Sequence, residues 1–369
     1  MSSPGLDREA LDRFGIDEAD PRAADRLGLA RYLDESGVPV EAIRSTRSFD
    51  EISTLTWSHV FGVVGQRIPP ADVAHLDAGA LTVAGLVRAL GFSDADIEEG
   101  YPKADRDLLR FMSDAATMFG EEQVMHLARV VGSSMARIAE ALAAAARVNF
   151  EDPVLATTSY PDFVRLAAPL IEDLLPRFAQ SMDRILRYHL LAISARGGYA
   201  IDPERVATTM PMAIGFADLV GFTATSDASS TKELARVIDD FEGRVTDKVT
   251  GGGGRVVKFI GDEVFFAFPS PASACACALD LLGLVADDAI PDVRVGLAFG
   301  SVVNRYGDYY GPIVNLAARL VAVAPPGGVL VTRRIADDAR NDFVFEAQTP
   351  RRVKGIAEEV ELCRLIGPR

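Results

Sequence analysis

Cysteine is scarce in this chain, and the scarcity excludes several designs at once. Only Cys275, Cys277 and Cys363 occur in 369 residues, and no pair has CxxC spacing. An odd count without paired spacing argues against a disulfide scaffold or a thiolate zinc site and fits reduced thiols in the cytoplasm. Long apolar runs are missing too. None reaches the ~18 residues of a membrane span, and the alanine-rich stretch 139–146 is interrupted by Glu140 and flanked by Arg137 and Arg147. The opening MSSPGLDREALDRFG lacks the charged-then-apolar order of a secretion signal. Positive charge is also in deficit: 38 Lys and Arg stand against 53 Asp and Glu, a net charge of −15. Such a surface repels phosphate backbones, which makes nucleic acid a poor partner. A triphosphate site would have to bring its own local cations or metals. A protein in the cytoplasm with no transmembrane segment is therefore expected.

The length suggests two domains, at ~100–200 residues each, and the patterning changes near residue 200. Before it, strand-like alternation is nearly absent. LGLARYLDESG and LTVAGLVRALG carry helical apolar stripes that stop at Gly37 and Gly91. Apolar residues recur at helical spacing from Phe111 to Val148, and again over Tyr160–Ala195, where Pro169 and Pro176 predict kinks. Residues 1–200 are read as an all-α domain and 201–211 as a linker. From 212 onward, short apolar runs alternate with helical stretches. MAIGFAD reads as a buried strand, and Ser230 three residues before Glu233 as a helix cap. RVVKFIGDEVFFAF reads as two strands turning at Gly261–Asp262. A helix over 272–285, the strand VRVGLAFG, a helix holding VNLAARLVAVA, and the strands VLVT, FVFEAQ and VELCRL complete residues 212–369. This is the outline of an α+β, ferredoxin-like βαββαβ core with additions.

Two carboxylates stand out. Asp218 ends the apolar run 214–217, and Asp262 sits in the hairpin turn. An aspartate at a strand end is often only a turn residue. Two at the tips of neighbouring strands could hold a hard divalent cation such as Mg²⁺, which takes one or two carboxylates plus phosphate oxygens. The run GGGG at 251–254 is no phosphate loop, since no GK[ST] follows it.

Three segments carry a more specific signal: FADLVGFT (216–223), KFIGDEVFFAF (258–268) and YGDYYGPIVNLAARL (306–320). In content, order and spacing they resemble the signature segments of class III nucleotidyl cyclases, over about residues 208–366. The resemblance implies a reaction, ATP to cyclic AMP and pyrophosphate, and a role for each matched residue. Asp218, Asp262 and the backbone carbonyl of Leu219 match the ligands of two Mg²⁺ or Mn²⁺ ions per site. Lys258 and Asp308 match the purine-selecting pair. Asp308 accepts a hydrogen bond from the adenine 6-amino group, where guanine would present a repelling oxygen. Asn315 and Arg319 match the residues that orient the ribose and donate to the α-phosphate. Lys354, in RRVKGIAEEV, matches a lysine for the terminal phosphates. In the family the metal aspartates of one chain face the Lys/Asp/Asn/Arg set of another, so a homodimer is implied.

Residues 1–200 resemble, more loosely, the helical regulatory domain of mycobacterial two-domain soluble cyclases. That likeness allows a response to pH and a lipid ligand enclosed by the helices 111–148 and 160–195. All four histidines, His59, His75, His126 and His189, fall in this half, and histidine titrates near neutral pH. His189, close to the linker, is the candidate regulatory residue, although four histidines in a chain of this length are unremarkable. A helix-turn-helix reading of 81–100 is discounted, because its second helix, 94–99, is acidic. The alternatives are a guanylyl cyclase, which Lys258 and Asp308 oppose, and a catalytically silent nucleotide sensor, which would normally have lost an aspartate or the arginine.

Overall fold

The structure, a computed structural model, describes residues 7–63, 67–68, 70–73, 82–93, 101–102, 106–195, 209–221, 231–286, 292–305, 307–352 and 359–369. The chain divides into two compact units, Met1–Ala200 and Ile201–Arg369.

Among the described residues the first unit is helical apart from one short strand pair. Helices α1 (Arg8–Phe14), α2 (Ala23–Glu35), α3 (Val40–Ser45) and α4 (Phe49–Val60) open it. Asp7 and Ser48 cap α1 and α4, each accepting from a backbone N–H three residues on. Then come β1 (Arg67–Ile68), α5 (Pro70–Val73), α6 (Val83–Ala89), β2 (Tyr101–Pro102) and α7 (Arg106–Phe119). A 26-residue helix, α8 (Glu121–Ala146), passes through a π-helical turn, Arg147–Glu151, into α9 (Asp152–Leu155). The unit's last described element is the 36-residue α10 (Tyr160–Ala195), which runs through both Pro169 and Pro176.

The helical spacing from Phe111 to Val148 is divided between α7 and α8. The break is at Gly120, whose φ of 90° is not a helical value. The described residues of this unit form two separate cores. One joins α1–α4 to the start of α10 through Leu29, Leu33, Ile52, Phe163 and Val164. The other joins α6, α7 and the start of α8 through Leu86, Leu109, Met112 and Val124. Beyond these cores the apolar residues of α8 and α10 are exposed or half-buried among the described residues. The second helix expected at 94–99, His75 and the Ser230 cap lie outside the described residues.

The second unit is built on a twisted sheet. Its elements are β3 (Thr209–Leu219), α11 (Thr231–Gly251), β4 (Arg255–Ile260), β5 (Glu263–Phe268), α12 (Pro271–Leu282), β6 (Val293–Arg305), β7 (Asp308–Tyr310), α13 (Pro312–Val323), β8 (Val329–Thr332), α14 (Arg333–Ala339), β9 (Phe343–Ala347), β10 (Arg351–Arg352), β11 (Glu359–Val360) and β12 (Leu362–Pro368). The strand order is β4-β5-β3-β6-β8-β12-β9, with β7 paired to β6 alone. All pairings are antiparallel except β6 with β8. The last three residues expected as linker, Thr209–Pro211, form the start of β3, where they pair with β6 only. Proline is tolerated at such a one-sided strand end because it has no N–H to give the missing neighbour.

Alternation along the strands gives the sheet two faces. Ala213, Ala217, Val264, Phe266, Val295 and Leu297 point to one, packed with Phe241 and Val245 of α11, Leu281 of α12 and Ile335 of α14. Ile214, Phe216, Phe265, Ala298 and Val302 point to the other, covered by Ala317 and Val321 of α13 and by Tyr309 of β7. Gly296 faces α13 so closely that an added Cβ would stand 2.3 Å from the Val321 nitrogen and 2.7 Å from the Ala317 oxygen. A glycine here lets the helix lie directly on the strand.

Candidate functional site

The second sheet face carries the charged groups. Asp218 in β3 is paired in register with Glu263 of β5 on one side and Arg294 of β6 on the other. Directly opposed residues project to the same face, so the three side chains form a row across one end of the sheet. Asp262, in the turn before Glu263, is drawn to the same end, where its backbone carbonyl accepts from the Leu219 N–H at 3.4 Å. Arg294 grips one oxygen of Asp218, Oδ2, with Nε at 2.7 Å and Nη2 at 2.5 Å. Its Nη1 donates to the Ala322 carbonyl of α13 at 3.2 Å.

This end of the sheet has more negative charge than one guanidinium balances. Burial, then the charge of Asp218, push the Asp262 carboxyl above its ordinary range against the pull of Arg294. The same causes, with Asp262 added, push Glu263 up to about 7. A partly buried carboxylate pair with surplus negative charge suits a divalent cation. Among the described residues no three His, Cys, Asp or Glu side chains converge on one point. Two aspartates with a backbone oxygen could hold only part of a hard cation's shell, so a divalent ion here would need oxygens from a ligand such as a phosphate to complete it.

Lys258 and Asp308 are brought together from fifty residues apart. Lys258, on β4 opposite Phe265, reaches along the sheet face so that Nζ lies 2.5 Å from Asp308 Oδ2. The ammonium also lies 5.8 Å from the centre of the Phe265 ring, which stacks on Phe216 with centroids 4.7 Å apart. Asp308 is steadied by the Tyr309 N–H, which donates to Oδ1 at 2.8 Å. A second tie joins the same strand and hairpin: Arg255 Nη2 donates to the Gly307 carbonyl at 2.5 Å.

Asn315 and Arg319 stand one turn apart on α13, the first exposed and the second half-buried. Neither side chain has a hydrogen-bond or ion-pair partner among the described residues. Leu219 is buried at the end of β3. Lys354 lies outside the described residues. His189 is exposed on α10, in the other unit.

Sequence reasoning missed Glu263 and Arg294. Both had a signal. Glu263 follows Asp262 directly, and Arg294 is a lone charge alternating with apolar residues in VRVGLAFG, on the face of Gly296 and Gly300.

The family model for the adenylate and guanylate cyclase catalytic domain matches residues 205–366. An uncharacterized protein of Mycobacterium tuberculosis is 33% identical over 362 residues, spanning 95% of this chain and 92% of that one. An adenylate cyclase of Glutamicibacter nicotianae is 32% identical over 300 residues, 74% of this chain and 72% of its own. A pH-sensitive adenylate cyclase of Mycobacterium tuberculosis is 29% identical over 360 residues, 93% of this chain and 88% of its own.

Proposed function

The chain belongs to the class III adenylate and guanylate cyclase family, and from that premise we propose that it converts ATP to cyclic AMP and pyrophosphate at a site shared by two copies. The observation that carries the adenine reading is the contact of Lys258 with Asp308 at 2.5 Å. Purine entry would exchange this ion pair for two hydrogen bonds to the base. Asp308 accepts from the 6-amino group and Lys258 donates to a ring nitrogen. Guanine offers an oxygen where Asp308 needs a donor, so that edge is repelled.

Asp218, Asp262 and the Leu219 carbonyl would hold two Mg²⁺ or Mn²⁺ ions. When bound, such ions acidify the ribose 3′-hydroxyl and neutralise charge on the triphosphate. Asn315 would orient the ribose. Arg319, one turn further along α13, would donate to the α-phosphate as charge builds there. Arg294 adds a guanidinium beside Asp218, and Lys354 is assigned to the terminal phosphates by resemblance. The helical unit would regulate this site, with His189 its candidate proton-responsive residue. An unchanged pH profile in His189→Ala would remove that assignment.

The test is cyclic AMP formation from ATP with Mn²⁺ or Mg²⁺, compared with GTP as substrate. Asp218→Ala and Arg319→Ala should each abolish product. Mixing the two variants should restore about a quarter of wild-type activity, because half the dimers would then hold one intact site of two. No product from either nucleotide, by wild-type dimers, would leave the silent sensor in its place. No recovery on mixing would mean that the site is not shared.

A further inference from the structure

Arg255 and Lys258 stand three residues apart on β4. In a regular strand that spacing sends side chains to opposite faces. Here they share one. Arg255 is paired with Ala267 of β5 and Lys258 with Phe265, and the register shifts between Val256 and Lys258. Val257 is therefore the extra residue of a β-bulge. Ala267 and Phe265 both belong to the sheet face under β7 and α13. Arg255 and Lys258, directly opposed to them, project to that face as well. Without the bulge only one of the two cations could reach β7.

The two cations grip β7 differently. Lys258 takes the Asp308 side chain, and Arg255 takes the residues on either side of it. Arg255 Nη2 donates to the Gly307 carbonyl at 2.5 Å, and its guanidinium carbon lies 5.8 Å from the centre of the Tyr309 ring. Gly307 has a φ of 80°, and an added Cβ would stand 3.4 Å from Arg255 Nη2. The chain is thus bare where the guanidinium docks. Tyr309 is buried, meets Phe265 edge-on at 6.5 Å, and gives its N–H to Asp308 Oδ1. β7 itself is only three residues long and is paired to β6 alone. In the sheet β5 and β3 stand between β4 and β6, so Arg255 ties β7 to a strand that its own ladder never reaches.

We propose that Arg255 is a positioning residue for base selection: by holding β7 against β4 it sets the distance between Lys258 and Asp308, and so the width of the purine slot. The proposal rests on the assignment of that pair to adenine given above. On that assignment the base displaces the Lys258–Asp308 ion pair, so this tie is lost at the moment selection occurs. The Arg255 tie remains, because it uses a backbone carbonyl and a ring that the base does not need. Its donor is charged, which makes it one of the stronger kinds of hydrogen bond. Selection depends on that hold. Asp308 can accept from a 6-amino group only at about 3 Å. A displacement of β7 by ~1 Å would weaken that bond and relieve the repulsion of the guanine oxygen together.

The experiment is calorimetric titration of the full chain with α,β-methylene-ATP and α,β-methylene-GTP in Mn²⁺, which reads binding without turnover. Arg255→Met keeps the stem and removes the donors. Arg255→Lys keeps the charge and one donor group. The wild type should bind the adenine analogue more tightly. Arg255→Met should reduce the ratio of the two affinities by about tenfold, chiefly through weaker adenine binding. Arg255→Lys should recover part of that ratio, and it disturbs the fold least. In an Asp308→Ala chain, which has already lost the acceptor, Arg255→Met should change the ratio no further, as expected of a residue that acts through Asp308. An unchanged ratio in Arg255→Met overturns the proposal. So does an equal fall for both analogues, which would make Arg255 a general structural support, and so does a further change of ratio in the Asp308→Ala chain. A wild type that binds both analogues equally would instead overturn the adenine assignment itself, so the two failures are told apart.

Discussion

Arg294 and Asp218 face each other across adjacent strands, and both Nε and Nη2 of the arginine donate to the same carboxylate oxygen, Oδ2. The third nitrogen, Nη1, is tied to the Ala322 carbonyl of α13. One guanidinium thus links Asp218 to the helix that carries Asn315 and Arg319. Replacing Arg294 with Met should cost the metal-free protein about 1–3 kcal/mol, because a charge-assisted bond is lost and Asp218 is left beside two other carboxylates. Mn²⁺ should restore part of the loss by resupplying positive charge. Thermal melts with chelator and with Mn²⁺ measure both effects. A variant as stable as the wild type in chelator would show that the pair is energetically idle.

Glu263 sets a pH dependence of known sign. Its folded-state pKa, about 7, lies above its ordinary 4.5. A carboxyl raised by folding binds its proton more tightly in the native state. Its contribution to stability is full below the ordinary value and is lost as pH rises toward about 7. Metal-free wild type should therefore lose stability relative to Glu263→Gln between pH 5 and 7.5. Melting curves of the two proteins in chelator, taken pairwise across that range, check this. A gap constant with pH would contradict it.

Gly296 should be intolerant of even one methyl group. An alanine there drives its Cβ into the backbone of Val321 and Ala317, and backbone cannot swing aside as a side-chain tip can. Gly296→Ala should destabilise the second unit by about 1–3 kcal/mol. It should also displace α13, so activity should fall further than the stability loss explains. Kinetics well below the unfolding range, set beside denaturation midpoints, separate the two.

Lys258 and Asp308 should matter for selection far more than for stability. Their side chains are 42% and 22% exposed, and partly exposed ion pairs are worth about 0–1 kcal/mol. Asp308→Asn should leave the melting temperature nearly unchanged. It should reduce the preference for ATP over GTP by about tenfold or more, since an amide can present a donor to guanine as well as an acceptor to adenine. Relative kcat/KM for the two nucleotides is the measurement.

Much of this molecule is legible in one dimension because its determinants are local. The helix of VNLAAR is set by spacing, and the four-residue step puts Asn315 and Arg319 on one side whatever surrounds them. The turn at Gly261–Asp262 follows from a glycine between two apolar runs, and its φ of 65° requires that glycine. The negative charge and the want of a membrane-length run are likewise properties of composition alone. What the sequence could not decide depends on which strands become neighbours. Glu263 and Arg294 become partners of Asp218 only because β5 and β6 flank β3 in register. Lys258 meets Asp308 only because β7 folds back on β6 and lies over the face that β4 extends. The apolar stripes of α8 and α10 are legible as helical spacing, but spacing alone does not say how far along the helix they are buried. Only the packing of the described residues shows that full burial stops after Gly132 in α8 and after Ala168 in α10, because the cores there are short.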